Sequence, residues 1–155
     1  MSTLLLVVTL GGYVTACSST ERGGVEARRA AANACTAEAR TLARVYPKSP
    51  RGQAIRPVLA AISTAQRDAD RALARIEWPA SEAAVAKMAL RADRRVARSI
   101  RSALIAVTHG ADPAIVRPGS SFARRLAAAQ TRAQVLWRKL GVSACARVDD
   151  PGHAG

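Results

Sequence analysis

Hydrophobic side chains recur at steps of three and four residues in two stretches of the first half of the chain, and this spacing predicts amphipathic helices. Prolines delimit both stretches, because Pro47 and Pro50 follow the first, Pro57 opens the second and Pro79 closes it. The inner positions are Ala27, Ala31, Cys35, Leu42 and Val45 in the first helix, and Val58, Ile62, Ala65, Ala69, Leu73 and Ile76 in the second.

The second half of the chain shows the same spacing together with start and stop signals, which predicts two more helices. Ser81 and Ser120 are the expected N-caps, and Gly110 and Gly141 are expected to follow the carboxyl ends. The inner positions are Val85, Met88, Ala92, Val96, Ser99, Ala103 and Val107 in the third helix, and Phe122, Leu126, Ala129, Ala133, Leu136 and Leu140 in the fourth.

No stretch alternates apolar and polar residues over the length of a strand, so no sheet is predicted. Of the 155 residues, 49% are hydrophobic but only 3% are aromatic, a composition that favours closely packed helices in one domain. We therefore expect an all-α fold, an antiparallel four-helix up-down bundle over residues 25–146, followed by a flexible tail over residues 147–155.

The amino terminus has the features of an export signal. The apolar run Leu4–Leu10 is far shorter than the ~20 residues of a membrane-spanning helix. The following Val14-Thr15-Ala16-Cys17 resembles the lipobox of bacterial lipoproteins, and this resemblance implies that Cys17 is acylated and holds the protein on the outer face of the cell membrane. Residues 1–16 are then a lipoprotein signal peptide and residues 17–24 a polar tether. No basic side chain precedes Leu4, which departs from the signal-peptide pattern. An ordinary secretory signal, or a buried apolar segment with an incidental cysteine, stays an alternative.

Two cysteines, Cys35 and Cys145, remain once Cys17 is assigned to the lipid. Disulfides persist outside the cytoplasm, and an up-down bundle brings the end of its fourth helix beside the first part of its first helix. We therefore expect a disulfide between Cys35 and Cys145, with two buried free thiols or a metal bound by two thiols as the alternatives.

Three short segments resemble the small helical lipoproteins of actinobacteria: residues 31–35 (AANAC), 76–80 (IEWPA) and 140–145 (LGVSAC). That resemblance implies a helical domain whose first and last cysteines pair, and a location in the cell envelope. It implies no activity.

Positive charge is concentrated on the third and fourth predicted helices of a chain whose formal net charge is +13. Spacings of three, four and seven residues align two basic rows, Lys87, Arg91, Arg94, Arg98 and Arg101 on the third helix and Arg125, Arg132 and Lys139 on the fourth. Such a surface suits a polyanion: anionic lipid, an acidic wall polymer or an acidic surface of a partner protein. The alternative is a solvated surface whose arginines reflect coding bias, because only three lysines stand among the 24 basic residues.

The sequence offers no recognisable catalytic chemistry. His109 and His153 are its only histidines, and no zinc, di-iron, hydrolase or nucleotide-binding signature occurs. Asp68, Asp70 and Glu77 lie among arginines, which indicates surface ion pairs. We expect no cofactor, no metal and no catalytic residue, and the scarcity of aromatic side chains argues against nucleic acid as a partner.

These patterns together favour a non-enzymatic, membrane-anchored lipoprotein of the cell envelope. Two other functions stay open: a surface immunity or exclusion lipoprotein encoded by a prophage, and an enzyme whose motif is not recognisable.

Overall fold

The computed structural model describes the backbone of residues 14–45 and 55–148, and side chains from residue 21 onward within those ranges. Its helices are α1 (Val14–Val45), α2 (Ile55–Leu73), α3 (Ala80–Thr108), α4 (Ser121–Lys139) and the single-turn α5 (Ser143–Ala146), with a 3-10 turn at Pro113–Val116 between α3 and α4. Over the described residues the fold is all-α, as predicted.

The four long helices form an up-down bundle in which each packs against the next along the chain. The helix α1 scarcely touches α4 directly, and the short α5 packs against both of them. Arg28 near the start of the packed part of α1 forms an ion pair with Glu82 at the start of α3, so these two helices run in the same direction. The predicted antiparallel four-helix bundle is confirmed, with α5 completing the ring.

The interior consists of two clusters, one at each end of the bundle. Half of the cluster at the disulfide end is alanine, and its members are Ala31, Cys35, Leu73, Ala86, Ala89, Ala92, Ala133, Trp137, Leu140, Val142, Cys145 and Ala146. The cluster at the other end consists mainly of leucine and isoleucine, and its members are Leu42, Leu59, Ile62, Ala65, Ile100 and Ala103. Alanine lets helix axes approach closely but buries little apolar area per residue, so the disulfide end depends on its few large side chains.

Cys35 and Cys145 form the predicted disulfide, which links α1 to α5. Their Cα atoms lie 5.0 Å apart, within the range that a disulfide spans without moving the backbone. Both residues are buried, at 2% and 7% exposure. The bond therefore closes the bundle where α1 and α4 have little direct contact.

Helix starts differ from the prediction at two places. The helix α1 begins at Val14, so residues 17–24, expected to be a polar tether, are helical. Ser81 is not an N-cap, because α3 begins at Ala80 and the carbonyl of Pro79 already accepts the first helical hydrogen bonds, from the backbone N–H groups of residues 82 and 83. Ser120 is the predicted cap of α4, and its Oγ accepts from the backbone N–H of residue 123 at 3.0 Å.

Two inner stripes are rotated relative to the predicted ones. Met88 is 48% exposed, and the buried positions of α3 are Ala86, Ala89, Ala92, Val96, Ile100 and Ala103. On α4 the fully buried large side chain is Trp137, whereas the expected Leu136 is half-buried. Trp137 can be buried at this position because its ring N–H donates a hydrogen bond to an acceptor on α3.

The tail begins later than predicted, since Val148 packs against both clusters. The expected signal segment 1–13, the prolines at 47 and 50 and residues 149–155, with His153, lie outside the described residues.

Replacing both bridged cysteines, Cys35→Ala with Cys145→Ala, should lower the free energy of unfolding by about 4 to 5 kcal/mol, because the bond closes a loop of 110 residues in the unfolded chain. Urea unfolding of the full chain measures this. A reducing agent should shift the native protein by a similar amount and leave the double variant unchanged. A loss below about 1 kcal/mol would mean that helix packing alone closes the ring.

Candidate anion-binding face

The basic face comprises the eight residues predicted from the sequence, and all of them are exposed. They are Lys87, Arg91, Arg94, Arg98 and Arg101 on α3, and Arg125, Arg132 and Lys139 on α4. On α3 the row lies opposite the buried stripe, because 3.6 residues per turn place positions such as 91 and 98 about half a turn from 89 and 96. The helix thus separates an alanine interior from an arginine exterior.

Arg94 differs from the other members of the basic face. Its Nε lies 2.7 Å from Oδ1 of Asp70 on α2, and the two side chains are 49% and 31% exposed. This ion pair joins α2 to α3, so Arg94 has a structural partner. Within the described residues the other seven members form no ion pair.

The helices α3 and α4 leave an open groove of about 540 Å³ between them, which we call the α3–α4 groove. Arginines from both helices border it, Arg91 and Arg95 from α3 and Arg132 from α4. Its other lining residues are small or apolar: Met88, Ala92, Ala128, Thr131, Val135 and Leu136. Sequence analysis missed this groove, because Met88 and Leu136 were assigned to the core and Arg95 lies outside the three-four repeat.

A second group of polar residues lies inside the bundle beside the disulfide. The ring N–H of Trp137 donates to Oδ2 of Asp93 at 2.8 Å, and Trp137 is only 1% exposed. A small cavity of about 40 Å³ adjoins this pair, and the buried Oε1 of Gln66, which lines it, has no hydrogen-bond partner among the described atoms. This volume suits a water molecule rather than an organic substrate.

Two further ion pairs lie away from both sites. Asp68 and Arg71 approach to 3.6 Å with about two-thirds of each side chain exposed, the weak surface ion pair that the sequence indicated. Glu82 pairs with Arg28 beside Gly24, where a β-carbon would lie 3.2 Å from Oε1 of Glu82. Glycine at this position therefore leaves room for the Glu82 carboxylate that pairs with Arg28.

The described part of the chain has neither a metal-binding cluster nor a helix that could span a membrane. No cluster of three or more His, Cys, Asp or Glu residues there is arranged to hold a metal ion. None of the described helices combines the length and the apolar content needed to cross a bilayer.

Comparisons with known proteins match no protein-family model, no curated protein and no solved structure. The function has therefore to be inferred from the residues and their arrangement.

The hydrogen bond from Trp137 to Asp93 can be tested against a nearby tryptophan. The rings of Trp78 and Trp137 have centroids 6.3 Å apart, but the buried Nε1 of Trp78 has no partner among the described atoms. Trp137→Phe should therefore lower the free energy of unfolding by about 2 kcal/mol more than Trp78→Phe, because only the first change removes a bond to a charged acceptor. Chemical denaturation compares the two, and equal losses would contradict a stabilising role for this bond.

Proposed function

We propose that this protein is a non-enzymatic lipoprotein of the bacterial cell envelope, held on the outer face of the membrane through Cys17, and that its basic face binds an acidic polymer or an acidic surface of a partner. The binding proposal rests on seven exposed basic side chains on α3 and α4 that form no ion pair with any described residue. The proposed lipid anchor rests on the resemblance of residues 14–17 to a lipobox.

The charge arrangement supports binding of an anion. Like charges at three- and four-residue steps repel one another, at a cost of a few tenths of a kcal/mol per pair. Four of the five basic residues of the α3 row form no ion pair with a described carboxylate, so only solvent and its ions screen this repulsion. A bound polyanion would relieve it and would release counterions at the same time.

The disulfide supports a location outside the cytoplasm. Structural disulfides are rare where thiols are kept reduced and common in exported proteins. A buried Cys35–Cys145 bond agrees with an exported chain in which the third cysteine, Cys17, takes the lipid.

The anchor can be tested by intact-mass analysis of the native protein. We expect a product that begins at Cys17, carries the mass of attached acyl chains and lacks the two hydrogens of the Cys35 and Cys145 thiols. A Cys17→Ser variant is the control and should lack the lipid mass. A native chain that keeps its first residues and carries no lipid would overturn the anchor.

The basic face can be tested by retention on immobilised inorganic polyphosphate. The triple variant Arg91→Gln, Arg98→Gln and Arg101→Gln should bind roughly tenfold or more weakly and elute at lower salt, because it removes three unpaired charges. Arg94 is left intact to preserve its ion pair with α2.

The matched control removes the same number of exposed arginines from α2 and the turn that follows it, as Arg56→Gln, Arg67→Gln and Arg75→Gln. If net charge alone governs retention, both triple variants elute at the same lower salt concentration, and the proposal of a dedicated binding face is wrong.

A further inference from the structure

The α3–α4 groove combines positive charge with exposed hydrophobic surface. Its apolar residues Met88 and Val135 are 48% and 43% exposed, and they are two of the four large hydrophobic side chains found exposed in the described structure. A third, Ile105, is 52% exposed and continues the α3 row four residues beyond Arg101. Water therefore contacts apolar side chains in the same groove that Arg91, Arg95 and Arg132 border.

No described residue that lines the groove is acidic. The carboxylate of Asp93, the nearest along α3, accepts from Trp137 on the inner side of the helix. Arg91, Arg95 and Arg132 thus produce a positive potential that no carboxylate in the groove offsets. The occupant that complements them is anionic.

The apolar residues distinguish between kinds of anion. A fully polar polymer such as a polyphosphate would pair with the arginines and leave Met88 and Val135 in water. The surface of an anionic bilayer offers both partners, since its phosphates pair with arginine and its upper acyl region accepts apolar side chains. Burial of these side chains adds binding energy that the bilayer supplies and a fully polar polymer does not.

The groove also lies within reach of the proposed anchor. Seven residues of α1, about 10 Å of helix, separate Cys17 from Gly24, which lies beside Glu82. Met88 is six residues, about 9 Å, further along α3, which runs in the same direction as α1. Along the bundle axis the groove is therefore about 20 Å from Cys17.

We propose that the α3–α4 groove docks on the anionic lipid surface, with Met88 and Val135 entering the headgroup layer and Arg91, Arg95 and Arg132 binding lipid phosphates. This inference rests on the proposed function and names the membrane lipid as the anion. It places the bundle with its α3–α4 side against the bilayer.

The test measures sedimentation of the full chain with phosphatidylglycerol vesicles, and uses phosphatidylcholine vesicles and soluble polyphosphate for comparison. Every chain carries Cys17→Ser, so acylation does not contribute, and any binding through residues 1–16 is the same in all variants.

The double variant Met88→Gln with Val135→Thr makes the apolar pair polar, changes its volume little and leaves the net charge unaltered. This variant should bind phosphatidylglycerol vesicles about tenfold more weakly and bind polyphosphate as the unchanged groove does. Val25→Thr is the control, because Val25 is 51% exposed on α1, and it should bind vesicles normally.

The arginines are changed separately, as Arg91→Gln, Arg95→Gln and Arg132→Gln. We expect about a fivefold loss of vesicle binding for each, or about a hundredfold for the three. All of these side chains are exposed, so unchanged thermal unfolding should confirm that each variant is folded.

The outcomes separate this inference from the proposed function. If Met88→Gln with Val135→Thr binds phosphatidylglycerol as the unchanged groove does, docking on lipid is wrong, even if loss of the arginines still weakens polyphosphate binding and the basic face survives. If the arginine variants bind both anions normally, both proposals fail. If the native protein carries no lipid but the groove variants lose vesicle binding, only the anchor fails.

Discussion

The bond between Cys35 and Cys145 joins the bundle where helix packing alone contributes least. The helices α1 and α4 scarcely touch, and α5 occupies the space between them. Half of the surrounding cluster is alanine, which permits short interhelical distances but removes little apolar area from water. A covalent link there limits the freedom of the unfolded chain and keeps α5 in position. The rest of the disulfide end, including the buried Trp137, is built around this closed ring.

The alanine interior also explains the surface. Most of the residues that face inward on α3 are alanine, and all five arginines of this helix are exposed on its outer side. One of them, Arg94, pairs with Asp70 and serves the packing of α2 on α3. Arg91 and Arg95 border the α3–α4 groove, and Arg98 and Arg101 are exposed further along the helix. Structure and charge are thus divided between two sides of a single helix, and the proposed binding uses only the outer side.

Much of the fold followed from local patterns. Three- and four-residue spacing located the four long helices, and two cysteines near the two ends of the helical domain's sequence, which an up-down bundle brings together, predicted their bond. Heptad spacing drifts slowly around a real helix, so it could not decide between Leu136 and Trp137 as the inner residue. The acceptor that decides it, Asp93, lies 44 residues away in the sequence. The partner of Arg94 and the groove depend in the same way on neighbouring helices, which periodicity within one helix does not describe.

The position of Cys145 has a consequence for how the protein matures. Its bonding partner lies 110 residues earlier, and the whole of α2, α3 and α4 stands between the two. During synthesis Cys35 is made before Cys145, so the bond can form only after nearly the entire domain has been completed. A chain that ends before Cys145 leaves the Cys35 thiol without this partner and lacks α5, the helix that packs between α1 and α4. The disulfide therefore forms only in molecules that include the single-turn helix α5.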